Sequence, residues 1–292
     1  MDKKVSIIMV NYKTVNHALE CLESISKQTY NNIKTVIVDN NSNDNCKMIL
    51  ESRFDCKVIL NDDNLGFSAA NNIGINYCWD ESDYFMLLNC DTTLEEHYIE
   101  KLMLAIEKTS NIGIISGKIL QYYDKEKIWY NGGNISNLKG SNIVWDFDKK
   151  NYETSLILNC SFVSGCCMLI PKEVLINVGF MSEDYFLYYE DTDYCKKIIN
   201  KNYKLYVVTN AVMYHKESVS TDKKSRLYTY YFVRNRFIFI KNNYNFFARI
   251  IPYIYSYLWV IKKVLTKKFF FKESFLGHLA FLKGERGKSN RF

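Results

Sequence analysis

Short apolar runs alternate with segments of helical period through the first third of the chain. Val5-Ser6-Ile7-Ile8-Met9-Val10-Asn11 reads as a buried strand. Val15, Ala18, Leu19, Leu22 and Ile25 then recur at three- and four-residue steps, the spacing of one helix face, with Thr14 or Asn16 placed to cap it. Ile33 to Val38 is a second apolar run, ending in Asp39-Asn40-Asn41-Ser42-Asn43-Asp44. Val58-Ile59-Leu60 is a short third run, followed by Asn61-Asp62-Asp63-Asn64-Leu65-Gly66-Phe67. A helix from about Ser68 to Trp79 leads into Tyr84-Phe85-Met86-Leu87-Leu88-Asn89-Cys90-Asp91, an apolar run with a polar end. This βαβαβαβ order predicts an α/β fold with a parallel sheet and helices on both faces. Asp91 then stands at the carboxyl edge of a central strand, where open α/β sheets bind ligands. A carboxylate there holds a divalent cation over a phosphorylated ligand. The competing reading is a helix N-cap, a position that Asp favours; this segment alone leaves both open.

Further on, a helix is expected from about Leu94 to Lys108 and a strand over Ile112 to Leu120. Residues 122–151 are polar, with Asn131-Gly132-Gly133 as a turn, and read as a loop and hairpin region near the ligand. Leu156 to Ile170 contains an extended buried segment, Phe162 to Ile170, and Pro171 suits the first turn of a short helix through Val178. Glu190, Asp191 and Asp193 follow the aromatic run Tyr185-Phe186-Leu187-Tyr188-Tyr189. They read either as solvent-facing acids favoured at a helix N-terminus, or as acids held against Tyr188 and Tyr189 with a tuned pKa, one of them a base. Lys204 to Val208 and Ala211 to His215 read as two strands, and a lone strand-end histidine is more often structural than catalytic.

Composition narrows the setting. The 292 residues suffice for one large domain or two modest ones, and 48% hydrophobic content supports a sizeable core. Nine scattered cysteines, an odd number with no CxxC pair, argue against a disulfide framework or a zinc site and fit a reduced, cytoplasmic setting. The apolar run Val5 to Val10 is too short for a signal peptide. No GxGxxG follows the first strand, and Gly284-Glu285-Arg286-Gly287-Lys288-Ser289 lacks the first glycine and the strand–helix context of a P-loop.

Charge divides the chain. Residues 241–292 carry eleven Lys or Arg against two Glu, while residues 1–240 carry twenty-seven against thirty Asp or Glu. Ile250, Ile251, Ile254, Leu258 and Ile261 recur at helical spacing beside Trp259, with Lys262, Lys263, Lys267 and Lys268 following. The apolar stretch is shorter than the roughly 20 residues that span a bilayer. Its basic, aromatic, amphipathic character predicts a helix at an anionic membrane surface. A helical cap on the main domain and a homodimer contact are the alternatives. The near-neutral body offers no basic face for nucleic acid, so none is expected as a partner.

Taken together, Val5-Ser6-Ile7-Ile8-Met9-Val10-Asn11-Tyr12, Val38-Asp39-Asn40-Asn41-Ser42, Asn64-Leu65-Gly66-Phe67-Ser68-Ala69-Ala70-Asn71-Asn72, Leu88-Asn89-Cys90-Asp91, Ser164-Gly165, Glu190-Asp191-Thr192-Asp193 and His215 resemble the family 2 glycosyltransferases, and within them the bacterial rhamnosyltransferase-type branch. The resemblance covers roughly residues 3–240. It implies a GT-A nucleotide-diphospho-sugar transferase fold for a catalytic domain of residues 1–240, with residues 241–292 as a basic, helical C-terminal tail. It further implies an inverting transferase that uses Mg²⁺ or Mn²⁺, a nucleoside-diphosphate sugar donor and a lipid-linked saccharide acceptor for a surface polysaccharide. The enzyme would sit peripherally on the inner face of the cell membrane. The donor implied first is dTDP-rhamnose, ahead of UDP-linked galactose, galactofuranose or GlcNAc; a nucleotide-sugar-binding protein without turnover is the non-catalytic alternative.

The same resemblance places Asn11, Asp39, Asn64, Gly66, Phe67, Asn71 and Asn89 around the nucleotide and assigns the metal to Asp91 and His215. It makes Asp191 the general base and puts Glu190, Asp193 and Gly165 near the acceptor. The chain departs from the family's DxD in having Asn89 and Cys90 before Asp91, which leaves one charge less for the metal.

Overall fold

The computed structural model describes residues 3–145, 156–216 and 225–291. Twelve strands and nine α-helices are assigned among them. The first part follows the hydrophobic pattern closely: β1 (Val5–Asn11), α1 (Val15–Ile25), β2 (Ile33–Asp39), α2 (Cys46–Glu51), β3 (Lys57–Leu60), α3 (Phe67–Tyr77) and β4 (Tyr84–Asn89). β3, β2, β1 and β4 lie side by side in parallel, and the interior residues of β1, β2 and β4 are almost wholly buried. Burial on both faces explains why these strands read as continuous apolar runs and not as alternating ones.

The next elements are β5 (Thr92–Leu94), α4 (Tyr98–Glu107), β6 (Ile112–Gln121), β7 (Ile128–Tyr130), β8 (Gly133–Ser136), β9 (Ser141–Val144), β10 (Ile157–Cys160) and β11 (Cys167–Pro171). They are followed by α5 (Lys172–Val178), α6 (Glu190–Asn200), β12 (Lys204–His215), α7 (Arg226–Asn243), α8 (Ile250–Leu265) and α9 (Phe271–Leu282). The large sheet runs β10-β12-β6-β11-β4-β1-β2-β3, with β5 paired to β12 and β7 to β6. Helices cover both faces of this mostly parallel sheet, and β11 enters antiparallel between β4 and β6. The expected α/β architecture is therefore present, with a C-terminal helical region.

Several expectations shift. The helix expected from Leu94 begins at Tyr98, because residues 92–94 instead pair with the end of β12. Leu156 to Ile170 is not one extended segment: β10 pairs with β12 at the sheet edge, β11 pairs with β4 in the middle, and residues 161–166 cross between them. The two strands expected over 204–215 are one, β12, whose register slips between Val208 and Val212. Such a bulge admits the polar Thr209-Asn210 without ending the strand. Thr14 sits at the α1 N-cap position, but its hydroxyl donates to Asn11 Oδ1 and caps no helix N–H. Pro171 ends β11 just before α5 and is not in its first turn. The expected hairpin is β8–β9, turning at residues 137–140; the last part of the 122–151 region lies outside the described residues.

α7 is buried around most of its circumference and carries Arg234, Asn235 and Arg236 inside the protein. α8 and α9 pack on it, so the 240/241 position falls within a continuous helix. Among the described residues all nine cysteines are free, and no helix is long and apolar enough to cross a membrane.

Candidate active site

The carboxyl ends of β1, β2 and β4 meet at one edge, with Asn11 opposite Asp39 and Val10 opposite Asn89. Asn11 ties this edge together: its Nδ2 donates to Asp39 Oδ1 (2.7 Å), Ser42 Oγ (3.0 Å) and Asp44 Oδ2 (3.1 Å), while its Oδ1 accepts from Thr14. Ser42 N–H donates to Asp39 Oδ2 at 3.0 Å. Both Asn11 and Asp39 are buried in this knot, and their neighbours Val10, Tyr12, Asn40 and Asn41 form the wall of an adjoining pocket of about 520 Å³. Asp39, Asp44 and Cys46 bring their ligand atoms within 4.8 Å of one another. Asp39 is already held by Asn11 and Ser42, and burial followed by the Asp39 and Asp44 charges pushes the Cys46 thiol strongly up. Asp44 is likewise engaged, by Asn11 Nδ2 and the Cys46 N–H, so this group is part of the hydrogen-bonded edge.

The next wall comes from the turn before α3. Gly66 adopts φ +85°, a Cβ there would lie 2.4 Å from the Phe186 carbonyl oxygen, and Phe67 N–H donates to that same oxygen at 3.2 Å. Asn64 Oδ1 accepts from Gly66 N–H (2.9 Å), and Asn40 Nδ2 donates to Gly66 O (3.1 Å). Only glycine combines this left-handed backbone with such a close approach. Asn64, Gly66 and Phe67 all line the pocket. Asn71 does not: it is buried one turn into α3, where its Nδ2 donates to Phe67 O.

Asp91 follows β4 and His215 ends β12, and the two are brought together because β12 pairs with β5 immediately after Asp91. Asp91 Oδ1 lies 3.3 Å from His215 Nε2, and Lys216 N–H donates to the Asp91 carbonyl. His215 is buried, its Nδ1 has no hydrogen-bond partner among the described residues, and Trp129 packs edge-on against its ring at 4.5 Å. Asn89 and Asp91 both face the pocket. The carboxylate–imidazole separation suits two adjacent ligands of one divalent ion, which lie about 3 Å apart for metal–oxygen distances of ~2.1 Å at right angles.

Opposite stands the start of α6. Tyr188 and Tyr189 hold φ of 70° and 74°, a left-handed pair outside glycine. Such a conformation costs on the order of 1–3 kcal/mol per residue and persists only where the surroundings enforce it. Here Asn235 Nδ2 from α7 donates to the carbonyls of Leu187 (2.8 Å) and Tyr188 (2.9 Å), and Tyr189 hydroxyl meets Ser141 and Arg236. The turn presents Glu190 and Asp191 to the pocket. Asp191 Oδ2 accepts from Gly165 N–H (3.2 Å), and its Oδ1 from Thr192 N–H (2.6 Å) and hydroxyl (3.1 Å). Burial raises both carboxyls above the usual range, and the Asp191 charge adds to the rise at Glu190. Glu190 Oε2 is buried without a partner among the described residues, so of the two it is the better holder of a proton.

The solvent-facing reading of this cluster does not hold, since Glu190 and Asp193 are buried. Asp193 is not at the pocket either. Two residues past Asp191 on a helix points to the other side, where Asp193 accepts from Tyr185 hydroxyl (3.1 Å) and Asn243 Nδ2 (2.7 Å) and pairs with Lys197 (2.9 Å). The structure thus gathers Asn64, Gly66, Phe67, Asn89, Asp91, Gly165, Glu190 and Asp191 around one pocket, sets His215 behind Asp91, and leaves Asn11, Asp39, Asn71 and Asp193 in the supporting layer. The wall also includes residues that sequence reasoning did not single out, among them Trp129, Leu227, Tyr231 and Lys288, which come from distant parts of the chain and carry no local signal.

Residues 6–179, more than half of the chain, match the sequence model of glycosyl transferase family 2. The chain belongs to glycosyl transferase family 2. This family 2 glycosyltransferase is 26% identical over 240 residues to the low-salt glycan biosynthesis hexosyltransferase Agl10 of Haloferax volcanii, covering 80% of this chain and 74% of that one. It is 25% identical over 252 residues to the dTDP-rhamnosyl transferase RfbF of Shigella flexneri, covering 83% and 82%. The mannosyltransferase PcManGT of Pyrobaculum calidifontis, solved with GDP-Man and Mn²⁺, superposes with a TM-score of 0.61 at 14% identity, covering 97% of this chain and 76% of that one. The architecture is the GT-A fold, and the enzyme is a nucleotide-sugar glycosyltransferase.

Proposed function

We propose that this enzyme is a metal-dependent inverting hexosyltransferase. The observation that carries the reading is the placement of the Asp91–His215 pair and the Asp191 carboxylate on one pocket. Asp91 and His215 would hold Mg²⁺ or Mn²⁺, which supplies neutralising charge to the donor diphosphate when bound. Asn64, Gly66 and Phe67 enclose the nucleoside, Asn89 faces the ribose, and Asn11 and Asp39 keep the strand ends in place beneath them. Asp191 accepts the proton of an acceptor hydroxyl, that oxygen bonds to the anomeric carbon from the face opposite the diphosphate, and the bond from that carbon to the diphosphate oxygen breaks as the nucleoside diphosphate leaves with the electron pair. Gly165 N–H and Thr192 hold the carboxylate's lone pairs in position, so the basic oxygen is oriented before the acceptor arrives. Glu190 and Gly165 border the acceptor side.

The similarity to RfbF supports dTDP-rhamnose as donor, with UDP-linked galactose, galactofuranose or GlcNAc as the other sugars of this reading. The acceptor is a lipid-linked saccharide. Residues 1–240 carry the reacting groups, and within residues 241–292 the exposed face of α8 meets an anionic membrane. That placement is supported by α8: Ile250, Ile251, Ile254, Leu258, Ile261 and Leu265 are all exposed along one face, and more than half of the exposed large apolar side chains among the described residues fall between 246 and 282. Lys262 and Lys263 lie in the last turn of the helix, and Lys267 and Lys268 follow it. An apolar stripe rimmed by lysines suits the interface of an anionic bilayer; a homodimer through the same face is the competing occupant. Transfer from a nucleotide sugar should vanish in Asp91→Ala and in excess EDTA, and full turnover under EDTA would refute metal dependence.

A further inference from the structure

The pocket is rich in carboxylates. Asp63, Asp91, Glu190 and Asp191 line it, and among the described residues that line it Lys288 is the one basic side chain. A nucleoside diphosphate is a polyanion, and a single divalent cation at Asp91 leaves the Asp63 and Asp191 carboxylates of this wall facing it. Lys288 lies on the segment after α9, within the glycine-flanked stretch that lacks the context of a P-loop.

This segment returns to the pocket as a strap fixed on both sides of Lys288. Gly287, at φ +60°, bridges to Tyr185, donates its N–H to Asp184 O (2.8 Å) and accepts from Arg234 Nη2 (2.7 Å). On the other side Ser289 N–H donates to Tyr231 hydroxyl at 2.8 Å. Arg234 is buried and stacks on Tyr231, so the anchor is part of the core. Between these fixed points Lys288 Nζ reaches across to Asp63 Oδ1 at 2.6 Å, next to the Asn64–Gly66 turn. Both partners are substantially exposed, and exposed pairs of this kind contribute little to stability. A phosphoryl oxygen of a bound diphosphate offers the same ammonium group a charge-assisted hydrogen bond.

We propose that the strap of residues 284–291 is part of the donor site, and that Lys288 exchanges Asp63 for a phosphoryl oxygen of the donor diphosphate. The proposal rests on the nucleotide-sugar donor reading. Lys288 is then a binding residue supplied from the far end of the chain, and Arg234 and Tyr231 are positioning residues that hold its backbone. The strap also joins α9 directly to the wall of the donor pocket.

The test is calorimetric titration of the full chain with dTDP and with UDP in the presence of Mn²⁺. Lys288→Gln should weaken binding by about ten- to a hundredfold. Lys288→Arg should stay within a few-fold of the unsubstituted protein, and Asp63→Asn, which frees the ammonium, should bind as tightly or more tightly. Unchanged affinity in Lys288→Gln overturns the proposal while leaving the donor reading intact. Equal weakening by Lys288→Gln and Asp63→Asn also overturns it, because the pair would then be only a strut. If neither nucleotide binds the unsubstituted protein, the dTDP- or UDP-sugar donor reading fails and the strap's role in that site fails with it.

Discussion

Replacing Asp191 by asparagine separates chemistry from architecture. The two carboxylate oxygens have unequal partners: Oδ1 accepts two hydrogen bonds from Thr192, and Oδ2 accepts one from Gly165 N–H. In Asp191→Asn the new amide would keep its oxygen at the Thr192 side and turn its NH₂ toward Gly165, losing one bond. Gly165 borders the open pocket, so water takes over that N–H and the cost stays near 1 kcal/mol. The lost proton acceptor costs far more, about 10²–10⁴ in rate. Steady-state transfer should fall by that factor while donor affinity and the melting temperature stay close to those of the unsubstituted protein. The pH profile gives a second reading of the same group. Because burial raises the Asp191 pKa, and a base works only when deprotonated, the acidic limb of kcat/KM should lie above the range of an ordinary carboxylate. The same raised carboxyls make their stability contribution fullest at low pH, where they are protonated, and lost as pH rises through their folded-state values. Full transfer in Asp191→Asn with loss in Glu190→Gln would move the base to Glu190 and refute the orientation argument.

Gly66→Ala should weaken nucleotide binding together with fold stability, by about 1–2 kcal/mol for the left-handed backbone alone and more for the Phe186 carbonyl it would strike; tight binding in a titration of this variant would show that the turn adapts. Flotation with anionic liposomes should recover the full chain and weaken by tenfold or more in Ile254→Asp/Leu258→Asp, whose side chains are exposed and add little to folding; equal flotation of both proteins, or loss of a dimer in its place, would reassign the α8 face.

How legible the fold was depended on how local its cause is. β1, β2 and β4 showed in the sequence because both faces are buried, and their apolar runs end where the ligand edge begins. The β5 pairing that delays α4 was hidden, since residues 92–94 are strand only because β12 passes beside them. The slip in β12 looked like a loop because Thr209-Asn210 is polar, although the strand continues through it. At the site, Asp91 and His215 were readable as separate strand ends, but their 3.3 Å approach is a property of the sheet order. Asp193 resembled its neighbours in charge and differs only by its helix angle, which turns it toward Tyr185 and Asn243. Lys288 sits far from Asp63 in the chain and had no sequence signal linking it to a pocket built mainly from the first two hundred residues.

A nucleotide sugar held over a metal at Asp91 is the centre of the proposed function. The most direct measurement is a thermal-shift panel of dTDP-rhamnose, UDP-galactose, UDP-GlcNAc and GDP-mannose, each with Mn²⁺ and with EDTA, on the unsubstituted chain and on Asp91→Ala. A donor at a hundred times its dissociation constant stabilises the folded state by about 2.7 kcal/mol. An upward shift of several degrees is expected for one donor, with dTDP-rhamnose first in order, that requires Mn²⁺ and disappears in Asp91→Ala. A donor shift of equal size in EDTA, or one unaffected by Asp91→Ala, would contradict it.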